Sequence, residues 1–183
     1  MNGLIRTFET NRARLTDNNF KLARDLAEMG QKPKRVIITC SDSRIPDELF
    51  KDSFIGENFV IRNAGNSLDN YALESLEYAV YDLKVREICI IGHTHCGAIK
   101  AYASNASDEF PAIFQAIHKN IRQAPDIEDL EMANVIGLAR RLREIFKDVD
   151  NLEINAYIYN INEVSLVKLD WEIKKDIVVN KRI

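Results

Sequence analysis

Glu87-Ile88-Cys89-Ile90-Ile91-Gly92-His93, EICIIGH, is a short apolar run closed by a glycine and a histidine. It reads as a strand buried on both faces. Two earlier runs share that character: RVIITC (35–40), rich in β-branched residues, and NFVIRN (58–63). Between the second and third lies SLDNYALESLEYAVYDLKV (67–85), where Leu68, Ala72, Leu73, Leu76, Ala79, Val80 and Leu83 recur at helical spacing behind a Ser67 or Asn66 cap. Buried strands alternating with helices predict a parallel sheet covered on both faces.

Outward from this centre the pattern stays consistent. Residues 1–30 are charged, with spaced apolar positions at Leu4, Phe8, Leu15, Phe20, Leu22 and Leu26, and predict one or two amphipathic helices ending at Gly30. Pro33 separates this arm from the first strand. After residue 97 one helix is expected around 110–122 and another around 129–147, the latter with Met132, Val135, Ile136, Ala139, Leu142 and Ile145 or Phe146 on one face. LEINAYIYN and VSLVKLDWEI, separated by a turn at Ile161-Asn162-Glu163, predict a closing hairpin with an antiparallel edge. The expected fold is α/β: a mostly parallel central sheet with flanking helices, an N-terminal helical arm (1–30) and an α/β core (34–183), in one domain over 1–183.

Bulk composition excludes several classes. The chain has 183 residues, 46% apolar, with a formal charge of −3, so it carries no basic excess for nucleic acid or for a polybasic membrane patch. No apolar run approaches the roughly 18–20 residues that span a bilayer. The N-terminal residues lack the uninterrupted apolar segment of a secretory signal, so a cytoplasmic protein is expected. Cys40, Cys89 and Cys96 make a poor disulfide framework; in a reducing compartment they suggest ligands, nucleophiles or core residues.

The chemistry sits in two segments. TCSDSR (39–44) follows the first strand and GHTHC (92–96) follows the third, and ligands of open α/β sheets bind beyond the carboxyl ends of parallel strands. Cys40 and Cys96 with one histidine make a Cys₂His set, a three-ligand pattern of catalytic zinc that leaves a fourth position for water. Side chains three apart on a helical first turn share a face, which selects His93 beside Cys96 and leaves His95 at the rim. Asp42 lies close enough to be a fourth ligand; if the planar fork of Arg44 holds it, the position stays open and Asp42 can accept a proton from water. Cys89 reads as a buried apolar cysteine and His118 as an ordinary helix residue. A redox pair is disfavoured, because Cys40 and Cys96 do not form C-x-x-C.

At Cys40-Ser41-Asp42-Ser43-Arg44, GENFVIRNAGN (56–66) and GHTHCGAIKA (92–101) the chain resembles a β-class carbonic anhydrase, with looser likeness through ANVIGLARRL (133–142) and INAYIYNINEVSLVKL (154–169). The resemblance implies Zn²⁺ on Cys40, His93 and Cys96, an Asp42–Arg44 dyad that gates and orients, and reversible hydration of CO₂ to bicarbonate and a proton by a zinc-bound hydroxide. It also implies a homodimer or a tetramer of dimers, with residues 1–30 as an arm embracing the partner. Ile45 and Phe59 are expected as apolar walls for CO₂. The chain departs from the pattern in three places. KDSFIGE (51–57) stands where many members read FDQGPGD, so the family's glutamine falls at Ser53 or Phe54. Ile37 stands where members with an allosteric bicarbonate pocket carry tryptophan, which favours a site open at neutral pH over one closed by Asp42. The 102–130 segment is short, and the usual hairpin glycines are absent at Ala156 and Asn162-Glu163. Hydrolysis of COS or CS₂ on the same fold, or a zinc-binding interaction protein with weak turnover, are the alternatives.

Overall fold

The computed structural model describes residues 3–104 and 110–172. Its centre is a five-stranded sheet in the order β2-β1-β3-β4-β5, built from β1 (Arg35–Thr39), β2 (Asn58–Arg62), β3 (Glu87–His93), β4 (Glu153–Asn160) and β5 (Ser165–Lys168). The first four strands are mutually parallel and β5 is antiparallel to β4. Position in the sheet explains the composition of each strand. β3 is central and buried from Ile88 to His93, hence the continuous apolar run, whereas β5 is an edge with Leu166 and Val167 exposed.

The closing hairpin forms, but its first strand is not part of an appended edge. β4 pairs along its full length with β3, from Glu87 opposite Glu153 to His93 opposite Tyr159, and so belongs to the parallel core. Only β5 is antiparallel. Val164, at a positive φ of 51°, makes the turn into it. Beyond β5 the chain stays against β4: the Leu169 N–H donates to the Ala156 carbonyl at 2.8 Å and the Trp171 indole to the Ile154 carbonyl at 3.2 Å.

Two apolar clusters flank the sheet. On one face Val36, Ile38, Ile61, Ile88, Ile90, Ile154, Ala156 and Ile158 pack beneath α3 (Asn70–Tyr81) and α6 (Leu130–Ile145). On the other, Ile37, Cys89, Ile91 and Tyr159 meet Ile45, Ile99, Phe114 and Ile117, the last three from α4 (Gly97–Ala103) and α5 (Pro111–Ile121). This second face is not wholly helix-covered. Over Ile37, Cys89 and Ile91 lies an open cavity of about 350 Å³, bordered by Leu49, Phe50 and Leu166.

Helix ends follow side-chain caps. α3 starts two or three residues later than the apolar spacing predicts: Asp69, not Asn66 or Ser67, caps it by accepting the Ala72 N–H at 2.8 Å. Residues 64–66 are instead a 3₁₀ turn with Gly65 and Asn66 at positive φ, a conformation that cannot join a helix. The arm is two helices, α1 (Gly3–Arg12) and α2 (Asp17–Met29), neither with a buried residue. A capping box between Thr16 and Asn19 opens α2, and Gly30 at φ 81° closes it. Leu26 seats α2 against Gly56, where a Cβ would collide with it.

Candidate metal centre

Cys40 follows directly on β1, and His93 is the last residue of β3. The strands are parallel neighbours with Thr39 opposite Ile91, so both ends emerge side by side at the carboxyl edge of the sheet. Thr94 and His95 turn the chain, and Cys96 is the N-cap of α4. Helical periodicity is not what brings His93 and Cys96 together. His93 is still strand, and His95 at φ 58° makes the sharp turn that swings Cys96 back. The Thr94 N–H donates to the Tyr159 carbonyl at 3.0 Å, and Thr94 Oγ1 accepts the Ile161 N–H at 3.1 Å, which pins that turn to the end of β4.

The ligand atoms of Cys40, His93 and Cys96 all lie within 4.8 Å of one another, and all three residues are buried. His93 Nδ1 is 3.0 Å from the Thr94 carbonyl, which can only accept, so Nδ1 carries the proton and Nε2 keeps its lone pair. Nε2 is buried with no hydrogen-bond partner among the described residues. An unsatisfied buried nitrogen costs about 1–3 kcal/mol, and an ion held jointly with the two sulfurs would satisfy this one. Two thiols and a neutral imidazole at this spacing fit tetrahedral Zn²⁺ with one position left over.

The electrostatics suit a cation. Cys40 is drawn down to about 4, first by its hydrogen bond with Cys96, then, against burial, by His93 and the backbone N–H groups of Gly65 and Asp42. Cys96 is pushed up, by the same shared proton and then by burial. Burial opposes protonation of His93, but the Cys40 sulfur beside it, the Thr94 carbonyl and Asp42 raise it overall. Opposite shifts of two adjacent thiols mark a strong interaction between them, and a cation bound there would take the place of a sulfur-bound proton.

Asp42 and Arg44 meet in two parallel hydrogen bonds, Nε to Oδ1 at 2.9 Å and Nη2 to Oδ2 at 2.7 Å, and the Arg44 backbone N–H adds a third to Oδ1 at 3.0 Å. The Arg44 guanidinium and then its backbone N–H, against burial, hold the Asp42 carboxyl far below the usual carboxylate range. Asp42 Oδ2 lies 3.9 Å from His93 Nε2, so the carboxylate faces the donor set without belonging to it. Arg44 Nη2 also donates to the His95 carbonyl at 3.1 Å. His95 itself is exposed, its Nε2 3.2 Å from Asn162 Nδ2, and stands outside the ligand group.

Other expected residues fall into place or out of it. Ile45 is 2% exposed and packs in the cluster that holds Cys40 and Cys96. Phe59 does not line the site: it stands opposite Val36 on the far face of the sheet, against Tyr78 of α3. The Ser53 hydroxyl donates to the Ile55 carbonyl at 3.1 Å, and Phe54 is half exposed beneath Lys51, so neither supplies an amide. Cys89 is a plain buried thiol, pushed up to about 12 by burial and then by Glu87. His118 bonds Tyr102 at 2.8 Å on α5.

Three bracing residues escaped sequence reasoning. Arg62 of β2 donates to the carbonyls of Cys40, Asp42 and Ile45 and pairs with Asp47 at 2.7 Å, holding the whole 40–45 loop. Glu131 of α6 accepts the Cys96 N–H at 2.8 Å. Asn134, one turn on, donates to the Gly65 carbonyl at 2.8 Å, and the Gly65 N–H donates to Cys40 Sγ at 3.3 Å. The available signal was a carboxylate and an amide on the apolar stripe of α6.

The chain is similar to known proteins in sequence and in fold. A family profile described as carbonic anhydrase matches residues 35–180. A carbonic anhydrase of Pseudomonas aeruginosa is 34% identical over 164 residues, covering 76% of this chain and 74% of that one. The solved β-carbonic anhydrase CcaA superimposes with a TM-score of 0.74 at 25% identity, over 91% of this chain and 86% of that one. One of two tetrameric β-carbonic anhydrases of Sordaria macrospora superimposes with a TM-score of 0.63 at 23% identity, over 90% and 97%.

Proposed function

We propose, from the premise that this chain belongs to the carbonic anhydrase family, that Cys40, His93 and Cys96 hold a zinc ion at which CO₂ is reversibly hydrated to bicarbonate. The observation that carries the reading is the partnerless buried Nε2 of His93 aimed among two sulfurs. When bound, Zn²⁺ supplies the Lewis acidity that brings deprotonation of water towards neutral pH. Two thiolates temper that acidity, which gives Asp42 its task. Held ionised by Arg44, Asp42 accepts a hydrogen bond from the attacking water and orients its lone pair towards CO₂. The same bidentate grip supports an open site, because an Asp42 occupied by Arg44 is not free to close it as a fourth ligand. Ile45 gives CO₂ an apolar wall.

The assembly proposed is a homodimer or a tetramer of dimers with residues 1–30 as the arm. Ile5 and Phe8 of α1 are 52% and 60% exposed, and such an apolar strip suits a second copy of the chain. The tetrameric fungal neighbour supports it. Among the described residues no helix is long and apolar enough to cross a membrane; free thiol ligands fit the reducing cytoplasm. Stopped-flow CO₂ hydration on protein of measured zinc content tests the activity. The expected result is turnover that disappears with zinc in Cys40→Ser; no turnover in the zinc-loaded protein overturns the reading. Sulfide release from COS or CS₂ in its place would assign the alternative substrate.

A further inference from the structure

We propose that Asn134 is a positioning residue of the metal centre, acting on Cys40 through Gly65 as the last member of a relay that begins at Arg141. The inference rests on Cys40 being a metal ligand. Arg141 Nη1 donates to Asn120 Oδ1, Asn120 Nδ2 to Asn134 Oδ1 at 2.9 Å, and Asn134 Nδ2 to the Gly65 carbonyl at 2.8 Å. The Gly65 N–H then reaches Cys40 Sγ at 3.3 Å. Asn120 and Asn134 are 0% and 2% exposed, so no water competes for their amides.

The relay has a direction set by chemistry alone. A guanidinium only donates and a backbone carbonyl only accepts, so each amide between them has one workable orientation. Arg141 forces the Asn120 oxygen outward and its nitrogen inward. That turns the Asn134 oxygen towards Asn120 and its nitrogen towards Gly65. Packing keeps the members in register: a Cβ on Gly137 would collide with the Asn120 carbonyl, so only glycine lets α5 and α6 approach this closely. At the far end Gly65 sits at φ 66°, where a Cβ would come 2.9 Å from Ile117 and 3.0 Å from Ala98.

The relay has work to do at the centre. Two thiolates push charge onto the metal and weaken its hold on the electrons of water. An N–H donor on Cys40 Sγ draws part of that charge back, provided the donor stays aimed, and Asn134 aims it. Outer hydrogen bonds of this kind commonly alter metal affinity or activity by about 10–100-fold.

Cobalt-substituted protein provides a readout that a purely structural role would not move. Loss of the N–H···S bond leaves the sulfur richer in electrons, so the sulfur-to-cobalt charge-transfer band of Asn134→Ala shifts to longer wavelength. The pH at which hydration activity rises moves upward, and activity near neutrality falls about tenfold. Arg141→Met, a change at the half-buried outer end, shifts the band the same way but less, and Arg141→Lys restores it. Leu142→Ala, on the same helix and in the opposite core cluster, lowers stability without moving the band. If Asn134→Ala fails to fold, Arg141→Met decides. Unshifted bands in the variants that fold overturn the relay alone, whereas absence of any sulfur-to-cobalt band in the unmodified protein overturns the ligand assignment beneath it.

Discussion

Arg44 grips Asp42 through both carboxylate oxygens while the outer one, Oδ2, stands 3.9 Å from the bare nitrogen of His93. A lysine can supply the charge but not the planar fork. Arg44→Lys is therefore expected to release Asp42 towards the metal and cut hydration about 10–100-fold with zinc content unchanged. Paired stopped-flow and metal analysis check it; a fully active Arg44→Lys protein contradicts the gating role.

Glu131 accepts the N–H of Cys96, one of the proposed ligands, and so braces the second half of the centre. Glu131→Ala removes the acceptor and is expected to weaken zinc binding about tenfold, whereas Glu131→Gln keeps an oxygen there and loses less. Competition with a coloured chelator measures both.

The 51–57 loop carries an acid-sensitive element. Glu57 is held near 2, against an ordinary 4.5, first by its hydrogen bond to Lys34 and then by the Ser53 and Asp52 N–H groups, with burial opposing. A carboxyl depressed by folding contributes stability fully above its unfolded value, and that contribution fades as pH falls from about 4.5 to about 2. Urea midpoints of the wild type should decline through that window, and Glu57→Gln should flatten this part of the decline. Parallel curves for the two proteins would remove the assignment.

Leu142 is fully buried under the sheet, distant from the ligands in the opposite cluster. Leu142→Ala is expected to cost about 2–5 kcal/mol in denaturant unfolding while zinc stoichiometry holds. Loss of metal from a folded variant would show that the two clusters are coupled.

Phe8→Asp places a charge on the exposed strip of α1. Light scattering should then report a smaller species than the wild type at equal concentration. An unchanged mass removes α1 from the interface.

Much of this was legible from patterns of two kinds. Continuous apolar runs announced β1 and β3, and C-x-D-x-R with H-x-x-C announced the donors, because strand burial and ligand chemistry each restrict residue type. What stayed hidden depends on register and backbone sign. Nothing local says that β4 pairs with β3 along its whole length, or that Phe59 shares a face with Val36 and not with Ile37. The late start of α3 reflects left-handed geometry at Gly65 and Asn66, which apolar spacing does not encode. Asn134 and Glu131 interrupt the apolar stripe of α6, and their partners lie in distant parts of the chain.

The placement of β1 beside β3 also orders events in the life of the chain. Their pairing is long-range, and contacts of that kind form slowly because a large loop must close first. Cys40 is separated by 53 residues from His93 and by 56 from Cys96. If the three hold zinc as proposed, a chain in which β1 and β3 have not yet paired offers the metal only the His93–Cys96 fragment, and capture by all three requires the assembled sheet.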